Sequence, residues 1–428
     1  MKIYNKRKLA SEELLQLTIR PEDGAENINT VVQTICTNVK KRGDGAVREY
    51  AELYEPTSVE KFRVADEEME EAERKVSPKL REAISTAENN IRKFHKKQLR
   101  ENEEVIIADG IICRREIRPY ETVGLYIPAG SAPLPSTVLM LGIPAQIAGC
   151  KRLVLCSPPN ASAKIDPSVL VAASHLGIRE IYKVGGAQAI SAMAYGTQSI
   201  PKVEKIFGPG NRYVMVAKQF VSNDKDGCPV DLIAGPSELL VITDNTARAD
   251  VVAIDLLSQA EHDPYSQVVL VTTDENYAGE VVKIVRARTQ EMPRRKIIEQ
   301  SLARSYVLVV PSITEAIVFT NNYAPEHLSI ITQNPEDIAS QIKHAGSVFL
   351  GEYSPVTAGD YASGTNHTLP TNGSAKWFGG LTVESYQKSI TFQSLTKEGL
   401  RNLAPALITL TEAEGLDAHK LAVTERLQ

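Results

Sequence analysis

Leu239-Leu240-Val241-Ile242-Thr243 is followed by a helical stretch over 249–262 and then by Gln267-Val268-Val269-Leu270-Val271-Thr272. Two short apolar runs joined through a helix form a strand–helix–strand unit, and such a unit closes as a parallel pair with the helix crossing one face. The pattern extends downstream. Residues 306–310, 328–331 and 347–350 read as further strands of this group, with helical segments such as 275–291 and 335–344 between them. Upstream, 123–128, 152–157, 180–184 and 205–207 form another group of the same kind. We read two α/β domains of similar design, each a parallel sheet covered by helices.

The flanks differ. Residues 26–54 and 66–100 read as long, charged, amphipathic helices, with Ile28, Val31, Val32 and Ile35 at helical spacing. They are expected to pack with the 239–350 group. Residues 396–428 are helical, with turn signals at Pro405 and Gly415. A piece this small cannot bury much of its own surface, so it should dock on the body of its own chain or on a partner subunit.

Composition narrows the function. The net charge is −5, which disfavours nucleic acid and anionic membrane surfaces as partners. The basic run 92–97 is local and reads as a solvated helix face. Five cysteines, an odd number with no CxxC pair, argue against a disulfide framework and a thiolate zinc site. Residues 1–15 lack the apolar core of a secretory signal, and no run of about 18 apolar residues is present. The cytoplasm is the expected location.

The seven histidines fall into two kinds. His95 lies in the basic run, while His175 and His344 precede glycines at predicted helix ends, where an imidazole can bond the last carbonyls. These three read as structural or solvent-facing. His262, His327, His367 and His419 lie at element ends or in Gly-, Pro- or Asn-rich loops, near acid or amide groups. Gln259 and His262 are three apart, so a last helical turn would project both from one face, a possible half of a metal site. Asp360 is flanked by small residues that allow close approach of the backbone. Pro325-Glu326-His327-Leu328 sets an acid beside a base; a loop could aim both inward as proton-transfer groups. Read singly, each of these residues is also compatible with a purely structural part.

Four glycine loops read as following strands: 127–133, 184–189, 207–211 and 234–238. They suggest a ligand cleft at the carboxyl ends of parallel strands. None matches GxGxxG, so they do not by themselves indicate a dinucleotide.

Taken in order, a set of motifs resembles the histidinol dehydrogenase family. The set is Gly124-Leu125-Tyr126-Ile127-Pro128, Val184-Gly185-Gly186-Ala187-Gln188-Ala189-Ile190, Lys205-Ile206-Phe207-Gly208-Pro209-Gly210-Asn211, Ala234-Gly235-Pro236-Ser237-Glu238, Ser258-Gln259-Ala260-Glu261-His262, Pro325-Glu326-His327-Leu328, the stretch from Gly359 to His367, and His419. The resemblance implies oxidation of L-histidinol to L-histidine through bound L-histidinaldehyde, with two NAD reduced and one water consumed. It also implies two incomplete Rossmann-like domains, one zinc ion per subunit and an intertwined homodimer. Gln259, His262 and Asp360 match zinc ligands of one subunit, and His419 matches a ligand donated by the partner. Ser237, His327, His367 and Glu414 match substrate-holding residues, Glu414 also from the partner, and the zinc ligands border the same substrate. Tyr126, Gln188 and Asn211 match NAD contacts, and Glu326 with His327 matches the catalytic pair. Some members carry Glu where this chain has Val356.

The corresponding division is an amino-terminal segment 1–24, a discontinuous Rossmann-like domain from 25–122 and 238–378, a second one over 123–237, a connector 379–395, and the appendage 396–428. Zinc has no redox chemistry, so the electrons must go to NAD. His327 is expected to remove the hydroxyl proton, and Glu326 to activate water at the aldehyde. Two rivals remain at this stage: a zinc hydrolase and a non-catalytic nucleotide-binding protein. A thiol route through Cys150 or Cys156 competes for the second step, although both read as small buried hydrophobes.

Overall fold

The computed structural model describes residues 1–21, 26–57, 59–129, 132–232 and 235–428. Gly130 and Ser131 of the first glycine loop, and Ala234 of the fourth, lie outside the described residues. The chain opens with β1 (Lys2–Asn5) and α1 (Ser11–Gln16), followed by α2 (Glu26–Arg42), α3 (Asp44–Tyr54), α4 (Asp66–Lys75) and α5 (Pro78–His95). β2 (Glu103–Ala108) and β3 (Ile111–Pro119) form a hairpin. The first alternation is β4 (Thr122–Tyr126), α6 (Pro135–Ala148), β5 (Arg152–Ser157), α7 (Pro167–His175), β6 (Glu180–Lys183), α8 (Gly186–Tyr195), β7 (Lys205–Phe207) and α9 (Arg212–Asn223). The second is β8 (Glu238–Thr243), α10 (Ala249–Ala260), β9 (Gln267–Thr272), α11 (Glu275–Thr289), α12 (Arg295–Ala303), β10 (Tyr306–Val309), α13 (Ile313–Tyr323), β11 (His327–Ile331), α14 (Pro335–Ala339), β12 (Ser347–Leu350) and α15 (Val356–Tyr361). β13 (Gln387–Leu395), α16 (Lys397–Ala413) and α17 (Asp417–Thr424) close the chain.

The expected parallel runs are β4 to β12. With β1 they build a four-stranded sheet, β6-β5-β4-β7, and a six-stranded sheet, β1-β10-β9-β8-β11-β12, parallel throughout. In each, the first strand of the alternation lies inside. The chain winds outward to one side and then returns to the other, so a switch point lies between β4 and β7 and between β8 and β11. Every residue of β8 and β9 is buried, as strands covered on both faces require.

One expectation is corrected, and two segments carry strands that were not expected. The amino-terminal helices pack on the four-stranded sheet's helices, not on the other group: α2 lies against α8 and α9, α4 against α7, and α5 against α6. Val32, Ile35 and Val47 join one core cluster, and Met69, Ile84 and Ile91 join another. An amphipathic face requires a partner but does not specify which one. β1 from the amino-terminal segment adds an edge strand to the six-stranded sheet. The supposed connector contains β13, which runs antiparallel to β3 and completes a separate sheet, β13-β3-β2. The appendage packs through α16 on β13, and α17 folds back on α16. Among the described residues, no helix is long and apolar enough to cross a membrane.

Candidate active site

A helix that crosses between parallel strands runs back against them, so the connections α10–β9 and α13–β11 lie at the amino edge of the six-stranded sheet. Both carry site candidates. α13 ends at Ala324, whose N–H bonds to the Thr320 carbonyl and whose φ is 53°, an uncommon left-handed conformation for a residue with a side chain. Pro325 then blocks further helix, and Glu326 and His327 follow, both buried.

Glu238, at the head of the neighbouring strand, holds both. Its backbone N–H donates to Glu326 Oε2 at 2.8 Å, and its carbonyl accepts from His327 Nδ1 at 2.9 Å. A carbonyl can only accept, so Nδ1 carries a proton and Nε2 is the nitrogen left for proton exchange. Nε2 lies 3.4 Å from Asp360 Oδ1 without hydrogen-bond geometry and has no other partner. Glu326 Oε2 lies 3.5 Å from His327 Nδ1. Burial raises the Glu326 pKa above the ordinary carboxylate range, against the pull of His327. For His327, burial opposes the charged ring, but Glu326 and Asp360 outweigh it and hold the pKa well above the usual value. The two groups therefore titrate as a coupled pair, and the proton they share belongs to the pair rather than to either residue.

Asp360 ends α15. A Cβ at Gly359 would lie 2.5 Å from Phe349 Cε1, so the small residue there permits the close packing expected from sequence. Burial would raise the Asp360 pKa, but His327, His367 and His262 together hold it low. The Asp360 carbonyl bonds His367 Nδ1 at 2.9 Å, and His367 Nε2 meets Thr137 Oγ1 of α6 at 3.2 Å. That contact joins the site to the helix that follows β4. Burial lowers the pKa of His367, and it also lowers that of His262, whose surface nonetheless reaches solvent. Gln259 is buried on the last turn of α10, and its Oε1 has no hydrogen-bond partner. An orphaned buried amide oxygen, an imidazole and a carboxylate are donor types that a zinc ion accepts. Among the described residues, no group of three or more His, Cys, Asp or Glu could hold a metal. Of the expected ligands, His262 and Asp360 lie close enough for each to bias the other's charge, and Gln259 sits three residues before His262 at the end of α10.

Ser237 directly precedes β8, and the 234–238 loop therefore leads into a strand rather than out of one, contrary to expectation. Tyr126, Gln188 and Asn211 lie at the carboxyl edge of the four-stranded sheet. Each is already engaged: the Tyr126 hydroxyl accepts from Gly186 N–H at 3.0 Å, Gln188 Nε2 donates to Glu55 Oε1 at 3.3 Å, and Asn211 Oδ1 caps α9. Glu414 and His419 are exposed on the appendage. Val356 is buried in the core beside β8 and β9, where a Glu would face apolar neighbours.

His95 is buried, with Nδ1 bonded to the Ile91 carbonyl at 2.8 Å, and His175 Nε2 lies 2.6 Å from Glu88; both are structural, as expected. All five cysteines are free. Burial pushes the Cys150 thiol up to about 12 and raises Cys156 further, so neither supplies a thiolate near neutral pH. Sequence reasoning missed the part played by Glu238. Its signal was a charged residue heading an otherwise apolar strand, which demands a partner.

A model of the histidinol dehydrogenase family matches residues 18–427. The histidinol dehydrogenase of Vibrio vulnificus (strain YJ016) is 49% identical over 402 residues, 94% of this chain and 92% of its own length. That of Methanocaldococcus jannaschii is 47% identical over 423 residues, 99% of this chain and 98% of its own. The crystal structure of histidinol dehydrogenase from Elizabethkingia anophelis matches with a TM-score of 0.95 at 47% identity, covering 100% of this chain and 98% of that one.

Proposed function

Because the chain belongs to the histidinol dehydrogenase family, we propose that Glu326 and His327 carry its NAD-linked oxidation of L-histidinol to L-histidine through bound L-histidinaldehyde. The observation that supports this most is the arrangement around Glu238, whose two main-chain groups hold the acid and the base together. A zinc hydrolase, the earlier rival, is not supported by any of these relatives, and a non-catalytic role leaves the paired proton-transfer groups without use.

His327 Nε2 takes the substrate hydroxyl proton in the first oxidation, while Nδ1 stays bound to the Glu238 carbonyl and fixes the ring. Glu326 acts in the second: Oε2 is tied to the Glu238 N–H, and the carboxylate removes a proton from the water that adds to the aldehyde. Gln259, His262, Asp360 and His419 of the partner subunit would hold zinc; Tyr126, Gln188 and Asn211 would contact NAD. When bound, zinc supplies a template that orients the substrate, and NAD supplies the hydride acceptor for both oxidations. Ser237, His367 and Glu414 of the partner subunit would hold histidinol.

The strand orders support reading each parallel sheet as an incomplete Rossmann-like unit, one over 123–237 and one over 238–378. The helices of 25–122 go with the former. A homodimer is supported by the exposure of Glu414 and His419 on a tail whose α16 packs on β13.

The test is the yield of NADH, followed by its ultraviolet absorbance, from a limiting amount of L-histidinol. Two NADH per histidinol are expected on this reading. A yield of one would remove the second oxidation and with it the role of Glu326; no NADH would remove the reaction.

A further inference from the structure

Arg20 belongs to no expected site, yet it is built into the surroundings of the catalytic pair. It lies between α1 and α2, with its side chain 12% exposed. The guanidinium grips Glu238 at two points, Nε to Oε1 at 2.9 Å and Nη2 to Oε2 at 2.6 Å. Nη1 donates to the carbonyls of Tyr323 at 2.7 Å and Thr18 at 2.9 Å, and Nη2 also reaches the Ala324 carbonyl at 3.4 Å. The guanidinium carbon lies 3.6 Å from the centre of the Tyr323 ring.

These partners are the two structures that aim Glu326 and His327. Glu238 gives its N–H to Glu326 and its carbonyl to His327. Tyr323 and Ala324 form the turn that delivers Glu326, and Ala324 keeps a left-handed φ of 53° while fully buried. Such a conformation persists only where surrounding contacts over-determine it. Asn372 N–H also donates to Glu238 Oε1 at 2.8 Å, which ties the same carboxylate to the segment after His367. A planar guanidinium can serve all of these acceptors while stacked on a ring, and a lysine ammonium cannot.

We infer that Arg20 is a positioning residue for the Glu326–His327 pair, acting through Glu238 and through the 323–324 turn. The inference rests on the reading of Glu326 and His327 as the catalytic pair. Arg20 touches neither of them and contributes no proton to the reaction.

The test uses full-length enzyme supplied with zinc and NAD, as Arg20→Ala and as Arg20→Lys. Loss of a group that orients a site typically costs about 10- to 100-fold in activity. The expected result is a fall in kcat of that size in both variants, with KM for histidinol within about threefold of wild type. Free guanidinium at tens of millimolar is expected to restore part of kcat in Arg20→Ala, whereas sodium at equal ionic strength restores none. Should Arg20→Ala fail to fold, Arg20→Lys, which keeps the charge and most of the volume, decides on the kcat–KM split alone. Wild-type kcat in Arg20→Lys would overturn the inference. So would guanidinium that restores thermal stability but not kcat in Arg20→Ala, because the role would then be structural only. Glu326→Gln measured alongside separates the two failures. If it damages the aldehyde step while the Arg20 variants behave as wild type, the catalytic pair stands and the positioning role falls. If it leaves both steps intact, the premise itself falls.

Discussion

His327 Nε2 stands 3.4 Å from Asp360 Oδ1 with no hydrogen-bond partner, while the opposite nitrogen of the same ring is committed to the Glu238 carbonyl. The imidazole is thus fixed in one tautomer, with its basic face toward the carboxylate expected to share the metal. Glu326 approaches from the other side, at the proton-bearing nitrogen. The two groups thus meet the site from different sides, although they are neighbours in sequence, and the proposed roles give them different tasks.

That division predicts the behaviour of Glu326→Gln. The amide oxygen can still accept from Glu238 N–H, so His327 should keep its place. The lost property is basicity. The alcohol step, started from histidinol, should stay near wild type, and the aldehyde step, started from histidinaldehyde, should fall by about 100- to 10,000-fold. Single-turnover NADH formation from each substrate measures the two separately. Equal losses in both would place Glu326 in a shared role and refute the assignment.

Gln259 gives a prediction with opposite signs in two states. Its buried Oε1 has no hydrogen-bond partner, and an unsatisfied buried acceptor costs about 1–3 kcal/mol. Replacement by leucine removes that penalty, so metal-free Gln259→Leu should melt no lower than wild type. Zinc affinity, measured by competition with a chelator, should weaken at least about tenfold. A variant that lost stability without zinc and bound it as tightly as wild type would show that Oε1 is not a ligand.

The parallel sheets were legible because strands buried on both faces must be continuous apolar runs, and Gln267–Thr272 and Arg152–Ser157 have the bounds read from sequence. β2 escaped notice for the converse reason. All of Glu103–Ala108 is exposed, and its sheet is completed by β13, about two-thirds of the chain away. Glu326, His327, Asp360 and His262, singled out in the sequence by their side-chain chemistry, do come together in the fold. The site was not legible at Glu238, whose grip on the pair is made by its main-chain N–H and carbonyl, groups that every residue but proline carries. Nor does an arginine before a proline, as at Arg20, announce a partner more than two hundred positions away.

Glu55 supplies a pH-dependent term in stability. Its Oε1 accepts from Gly185 N–H at 2.7 Å and from Gln188, but Oε2 is buried without a partner, and burial raises the carboxyl from 4.5 to about 7. The folded chain therefore holds this proton more tightly than the unfolded chain. The contribution is fully present below pH 4.5 and is lost as pH rises through about 7. The loss amounts to roughly 3 kcal/mol at most. Glu55→Gln keeps an acceptor for Gly185 and removes the titration. Its melting temperature relative to wild type should rise across that window and level off above it. A difference independent of pH would mean that the carboxyl titrates normally.

Subunit sharing of the site is open to complementation. Glu326 lies in the body of the chain and His419 on the exposed tail, so a site that borrows the partner's tail draws the two from different chains. Consider dimers of Glu326→Gln with His419→Asn. The site on the first body has the altered Glu326 position and receives the altered tail, so it carries both defects. The site on the second body has intact Glu326 and receives an intact tail. Each parent homodimer has one defect in both of its sites. Equal co-expression with random pairing makes half the dimers mixed, so about a quarter of all sites should be intact and about a quarter of wild-type activity should return. If each tail served its own body, every site would keep one defect and mixing would restore nothing. The measured quantity is the NADH rate per subunit of the co-expressed pool against the mean of the two parents; a value equal to that mean would place His419 outside the partner's site.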